Sequence, residues 1–138
     1  MTADATDPGL PAIPSGVEAR LGAGEQLMAA LTGAQGSGMA LTDRRLIRWR
    51  PPGAIVSLPL VQVERVQLDP GRPDGQAMLL VVARDARPPL VLSLEPRHMA
   101  DAGPFTTAVL HAVLEAVAAT RRRPSTAADG SEGRAART

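Results

Sequence analysis

The 138-residue chain has no cysteine, no lysine and no tyrosine, and it carries one tryptophan and one phenylalanine. Without cysteine there is no disulfide, no thiolate catalysis and no Cys-based zinc site. The near absence of aromatics removes stacking platforms and leaves Leu, Val, Ile, Met and Ala to build the core. A basic cluster followed by an apolar stretch is missing from Met1 to Pro8, so the start does not read as a secretory signal. Long apolar runs are missing too: the longest, Ala77 to Ala83, has the length of a buried strand and falls far short of the ~20 residues that span a bilayer. A cytoplasmic protein with no transmembrane segment is the expectation.

Charge of one sign is also scarce where it would matter. The net charge is +1, but residues 25–118 balance nine arginines against nine acids, residues 1–24 carry −2 and residues 119–138 carry +3. A neutral body with a basic tail gives no electrostatic footprint for a nucleic acid, so none is expected as partner.

What is present is period. From Glu25 onward apolar residues alternate: Leu27, Ala29 and Leu31; Met39 and Leu41; Ile47 and Trp49; Val56, Leu58 and Leu60; then Val66 and Leu68 after a change of phase near Gln62 to Arg65 that a bulge or helical turn would absorb. Ala77 to Arg84 is apolar on both faces, and Leu90, Leu92 and Leu94 alternate again. Turn chemistry separates these runs at Gly33–Gly38, Thr42-Asp43, Pro51-Pro52-Gly53 and Pro70–Gly75. Seven antiparallel strands follow. The last element has a different period: Phe105, Val109, Leu110, Val113, Leu114 and Val117 recur at helical spacing over about half a helix, with Pro104 as first helical residue behind Asp101 or Gly103. Ser15 and Glu18 have the spacing of a capping box for a short turn over 15–21.

The fold class is therefore mostly β with one C-terminal α-helix. The expected division is a disordered tail over 1–15, one domain over 16–120 and a disordered basic tail over 121–138.

This order of elements, together with Gly24-Glu25, Leu41-Thr42-Asp43-Arg44-Arg45-Leu46-Ile47 and Ser57-Leu58-Pro59-Leu60 followed by Val63 and Val66, resembles the bacterial pleckstrin-homology-like domains, including those compared with GRAM domains. The similarity covers about residues 20–120. It implies a seven-stranded antiparallel barrel or sandwich capped by the helix, and a non-catalytic module that binds proteins, assembles with itself or, in some relatives, binds membranes. Phosphoinositide-binding members carry basic residues around the first hairpin. Here Gly33–Gly38 has no charge, so the headgroup site is not carried over.

Candidate functional residues are few. Arg44, Arg48 and Arg50 project from one strand face opposite Ile47 and Trp49, with Arg65 nearby if the next strands pair in order; convergent guanidinium groups would bind carboxylate or phosphate. The plain alternative is a solvated strand face. With the tail arginines, Arg121 to Arg123 among them, Arg44, Arg48 and Arg50 form the runner-up, a patch for anionic lipid. Trp49 reads as core or as a partner anchor. The Gly-rich 33–38 turn is a hairpin rather than a phosphate loop, which needs a lysine and a following helix. Glu95, His98 and Asp101, or His111 and Glu115, have ligand-like spacing without a complete set. No enzyme and no cofactor is expected; the expected function is protein interaction or assembly, a sheet edge being a natural interface.

Overall fold

Alternation from Leu27 to Leu94 becomes seven strands in the computed structural model, which describes residues 13–71 and 76–122. The elements run α1 (Ser15–Glu18), β1 (Leu27–Thr32), β2 (Gly38–Thr42), β3 (Arg45–Arg50), β4 (Ala54–Pro59), β5 (Val63–Asp69), β6 (Ala77–Ala83), β7 (Leu90–Leu94) and α2 (Met99–Arg122). Two antiparallel meanders result, a sheet in the order β1-β2-β3-β4 and a sheet in the order β5-β6-β7. Residues 1–12, 72–75 and 123–138, which hold most of the expected tails and of the 70–75 turn, lie outside the described residues.

The main core lies between the sheets. Leu31, Met39, Leu41, Leu46 and Leu58 of the first sheet meet Val63, Leu79, Val81, Leu90 and Leu92 of the second, and Phe105, Val109 and Val113 of α2 close the packing. Each such side chain contributes about 1.5–3 kcal/mol by leaving water. The phase change before β5 is absorbed twice, by a 3-10 turn at Leu60–Gln62 and by a register shift between Val63 and Arg65.

A second, smaller core covers the other face of the first sheet. Val17 of α1 packs with Ala40, Ile47 and Trp49, and Ile13, Leu21, Leu27 and Ile55 surround them. This explains why β2 is buried along its whole length instead of alternating. A register shift between Leu27 and Ala29 sends Leu27 to this second core while Leu31 stays in the main one. In α1 the capping box does not form: Pro14 holds the cap position, and its carbonyl accepts the N–H groups of Val17 and Glu18 at 3.0 Å each.

Gly38 faces Trp49 across β2 and β3, and a Cβ added there would fall inside the indole. Gly38→Ala is expected to cost about 1–3 kcal/mol through overpacking, read as a lower urea midpoint at unchanged slope.

Three sequence expectations need correction. The helix begins at Met99, behind a 3-10 turn at Pro96–His98, so Pro104 lies inside it. The missing proline N–H leaves the Ala100 carbonyl without its helical donor, which an exposed residue can replace with water. Leu110 and Leu114 belong to the predicted arc but are 44% and 67% exposed, because the gap between the sheets takes a narrower stripe of α2. β6 is also less covered than its sequence implies, with Met78 exposed. By length and mean hydropathy, the helical run Pro96–Arg122 reaches what a bilayer span requires.

Candidate functional site

The face assignment of β3 decides where its arginines go. Leu46 is fully buried in the main core, whereas Ile47 and Trp49 belong to the second core. Arg48 and Arg50, two and four residues on from Leu46, therefore sit on the face turned toward the other sheet rather than on a solvated outer face. β3 runs past the last core layer, so its final arginines line an open end of the sandwich. Arg48 reaches across to β7, where its Nη1 donates a long hydrogen bond of 3.4 Å to the Val91 carbonyl. Its Nε is buried and has no partner, the one such side-chain nitrogen or oxygen among the described residues.

These two arginines line a cleft of about 460 Å³ with Gln35, Ser37, Gln76, Val91 and Ser93. The β1–β2 connection forms one wall. It closes through a Gly33 N–H bond to the Ser37 carbonyl at 2.9 Å, and Gln35 adopts the left-handed region with φ 57°. Gly33 is required for the approach to β7: a Cβ there would lie 2.8 Å from the Ser93 carbonyl oxygen. Ser37 and Ser93 thereby face one space from distant parts of the sequence.

Among the described residues the cleft has no acidic lining. The ion pairs among the described residues are Arg45–Glu25, Arg87–Asp85 and Arg97–Glu95, and none of them involves Arg48 or Arg50. Burial, and then the neighbouring Arg50 charge, pushes the Arg48 guanidinium below its ordinary value. An anion entering the cleft would relieve both causes, and the planar guanidinium edge formed by Nε and one Nη suits a carboxylate or phosphate oxygen pair.

The four arginines singled out in the sequence do not converge. Arg44 precedes β3 and donates from Nη2 to the Ala23 carbonyl at 3.0 Å, at the end of β3 opposite Arg50. Arg65 lies on β5 opposite Val82, separated from β7 by β6. Only Arg48 and Arg50 share the cleft. Trp49, 8% exposed, is a core residue of the second cluster. His98 is buried, with Nδ1 accepting the Glu95 N–H at 3.0 Å, and Glu95 pairs with Arg97. His111 and Glu115 face a different groove, between α2 and Met28 of β1.

Sequence reasoning missed Ser37 and Ser93, because their meeting depends on how the two sheets close. It also missed a part-buried charge cluster at the Thr42 end of β2. The Glu25 carboxylate, 2% exposed, accepts from Arg45 Nε at 2.9 Å and Nη2 at 3.0 Å, from the Gly22 N–H at 2.8 Å and from Thr42 Oγ1 at 2.6 Å. Arg45, above all through its hydrogen bonds, holds the Glu25 carboxyl down at about 2, against the opposing effect of burial.

No protein-family model and no curated protein matches the sequence. Among solved structures, the architecture matches the crystal structure at 2.00 Å resolution of a DUF1696 family protein with a pleckstrin-homology domain from Shewanella loihica PV-4, with a TM-score of 0.57 over 72% of this chain and 91% of that one. The fold is pleckstrin-homology-like. At 18% identity the likeness extends to the fold alone. The seven antiparallel strands and the C-terminal helix of this pleckstrin-homology-like domain are those that its residue pattern implies.

Proposed function

We propose that this chain is a non-catalytic binding module of the bacterial pleckstrin-homology-like kind, that it works in the cytoplasm through protein interaction, and that the Arg48–Arg50 cleft takes an acidic group of the partner. One observation carries the reading: two arginines that form no ion pair with any described residue meet in a concave site, one of them with a buried Nε that has no partner among the described residues. Such a group is stabilised by an incoming acceptor. A pleckstrin-homology domain in the structural neighbour supports a binding role in general terms.

The anionic-lipid alternative loses support from the same geometry, since Arg44, one of its three strand arginines, is held away from the cleft and the hairpin beside the cleft carries no charge. Membrane association gains only about 1 kcal/mol per arginine near the surface. Affinity capture from lysate by the full chain and by an Arg48→Gln/Arg50→Gln variant, with phosphatidylserine vesicles run in parallel, tests the assignment. A protein retained by the native chain and at least tenfold depleted on the variant is the expected result. Equal retention by both forms contradicts the cleft as binding site, and arginine-dependent vesicle binding without protein capture would transfer the function to lipid.

A further inference from the structure

Arg50 and Pro51 belong to two cavities at once. On one side they line the Arg48 cleft, and on the other they wall a smaller, mostly apolar cavity of about 280 Å³ with Pro14, Trp49, Pro52 and Ile55. Ile13 and Val17 belong to the same packing as Trp49 and Ile55. The described chain therefore begins one wall away from the two arginines. The residues that precede it, 1–12, carry the complementary charge, for Asp4 and Asp7 are their only ionisable side chains. Asp7 stands six residues before Ile13 and Asp4 nine, so extended chain reaches up to about 20 Å and about 30 Å from that point. Leu10 and Pro11, between Asp7 and Ile13, are apolar, as is most of the cavity that such a path crosses. The other end of the chain does not compete. Arg122 lines the α2 groove beside Asp43, beyond the Thr42 end of β2, whereas the cleft lies at the Gly38 end, and the residues after Arg122 are basic on balance.

Resting on the reading that the cleft binds an acidic group, we propose that the protein's own residues 1–12 turn back across the apolar cavity and hold the Asp4 and Asp7 carboxylates against Arg48 and Arg50, as an internal competitor of the partner. A carboxylate there accepts from Arg48 Nε, which has no partner among the described residues, and offsets two adjacent positive charges. Tethering supplies these carboxylates at a roughly millimolar effective concentration. That is enough to compete with a weak anion and too little to exclude a tight one, so the segment restricts the cleft to ligands that displace it. A segment that fills the cleft about two-thirds of the time weakens any competing anion about threefold.

The Arg48 side-chain Nε–H resonance reads the cleft in the full native chain and in an Asp4→Asn/Asp7→Asn variant, each titrated with inorganic phosphate. The expected result is an Arg48 resonance already displaced in the variant before phosphate is added, and phosphate binding at least threefold tighter than in the native chain. Because the chain has no cysteine, a nitroxide on Ala5→Cys reports position without competing labels. It is expected to broaden the Ser37 and Ser93 amides selectively, and the broadening is expected to disappear when Asp4→Asn/Asp7→Asn is added. Equal phosphate binding by the native chain and the variant overturns the proposal and leaves the cleft an acid-binding site. Broadening that is absent, or that survives the two substitutions, overturns the carboxylate contact in the same way. Failure of phosphate to move Arg48 in either form overturns the acid-binding reading as well.

Discussion

Phe105→Ala is expected to lower the unfolding free energy by about 3–5 kcal/mol, a large share of the roughly 5–15 kcal/mol that holds a domain together. Phe105 is the one phenylalanine of the chain, and it is buried where α2 meets both sheets. Its removal leaves a cavity that the short aliphatic neighbours Ala102, Val109 and Ala112 cannot fill. Leu114→Ala is the matched control on the same helix. That side chain is 67% exposed, so its loss is expected to change stability by no more than about 0.5 kcal/mol. Urea denaturation of the two variants separates a helix that closes the core from one that merely lies beside it.

Acid titration should show the second large effect. The Glu25 carboxyl falls from 4.5 to about 2 on folding, so the unfolded chain binds the proton more readily than the folded one. The resulting stabilisation is fully present above about 4.5 and is lost as pH falls through that value toward 2, and it amounts to roughly 3 kcal/mol. Glu25→Gln keeps the volume but removes the charge that Arg45, Gly22 and Thr42 address. The variant is expected to lose roughly 2–3 kcal/mol at pH 7 and much of the native chain's stability change between pH 5 and pH 2. A denaturation series over that interval checks both statements, and an unchanged slope in the variant would reassign the acid sensitivity to other carboxylates.

Much of the architecture was legible because burial imposes a period of two on strands and about 3.6 on a helix, and the runs around Leu58 and Leu92 obey the first as Phe105, Val109 and Val113 obey the second. The start of α2 was not legible. Pro96 and Pro104 both suit a first helical position, and only packing against β5 and the Leu60–Gln62 turn distinguishes them. The orientation of β3 was hidden for a different reason. Ile47 and Trp49 are the bulkier apolar pair and read as the inward face, yet a few residues of the N-terminal segment, Ile13, Val17 and Leu21, supply them with a core of their own. Leu46 then takes the main core, and the arginine side of the strand turns inward with it. One signal was available: Gly38-Met-Ala-Leu-Thr42 does not alternate, as befits a strand covered on both faces.

The same inversion turns two arginines from a solvated stripe into a site. Arg45, adjacent in sequence, emerges on the opposite side and is consumed by Glu25, and Arg44 is held against the Ala23 carbonyl. Sequence neighbours of one chemical type thus end in three environments, set by the alternation of one strand and by what covers each face.

The most direct test of the cleft follows the arginine side-chain Nε–H resonances by NMR while inorganic phosphate is added at constant ionic strength. The account predicts a saturable shift of Arg48 and Arg50 at millimolar phosphate, with Arg44 and Arg65 unmoved and the response abolished by Arg48→Gln. Parallel drift of all four arginines, or no shift at Arg48, would contradict it.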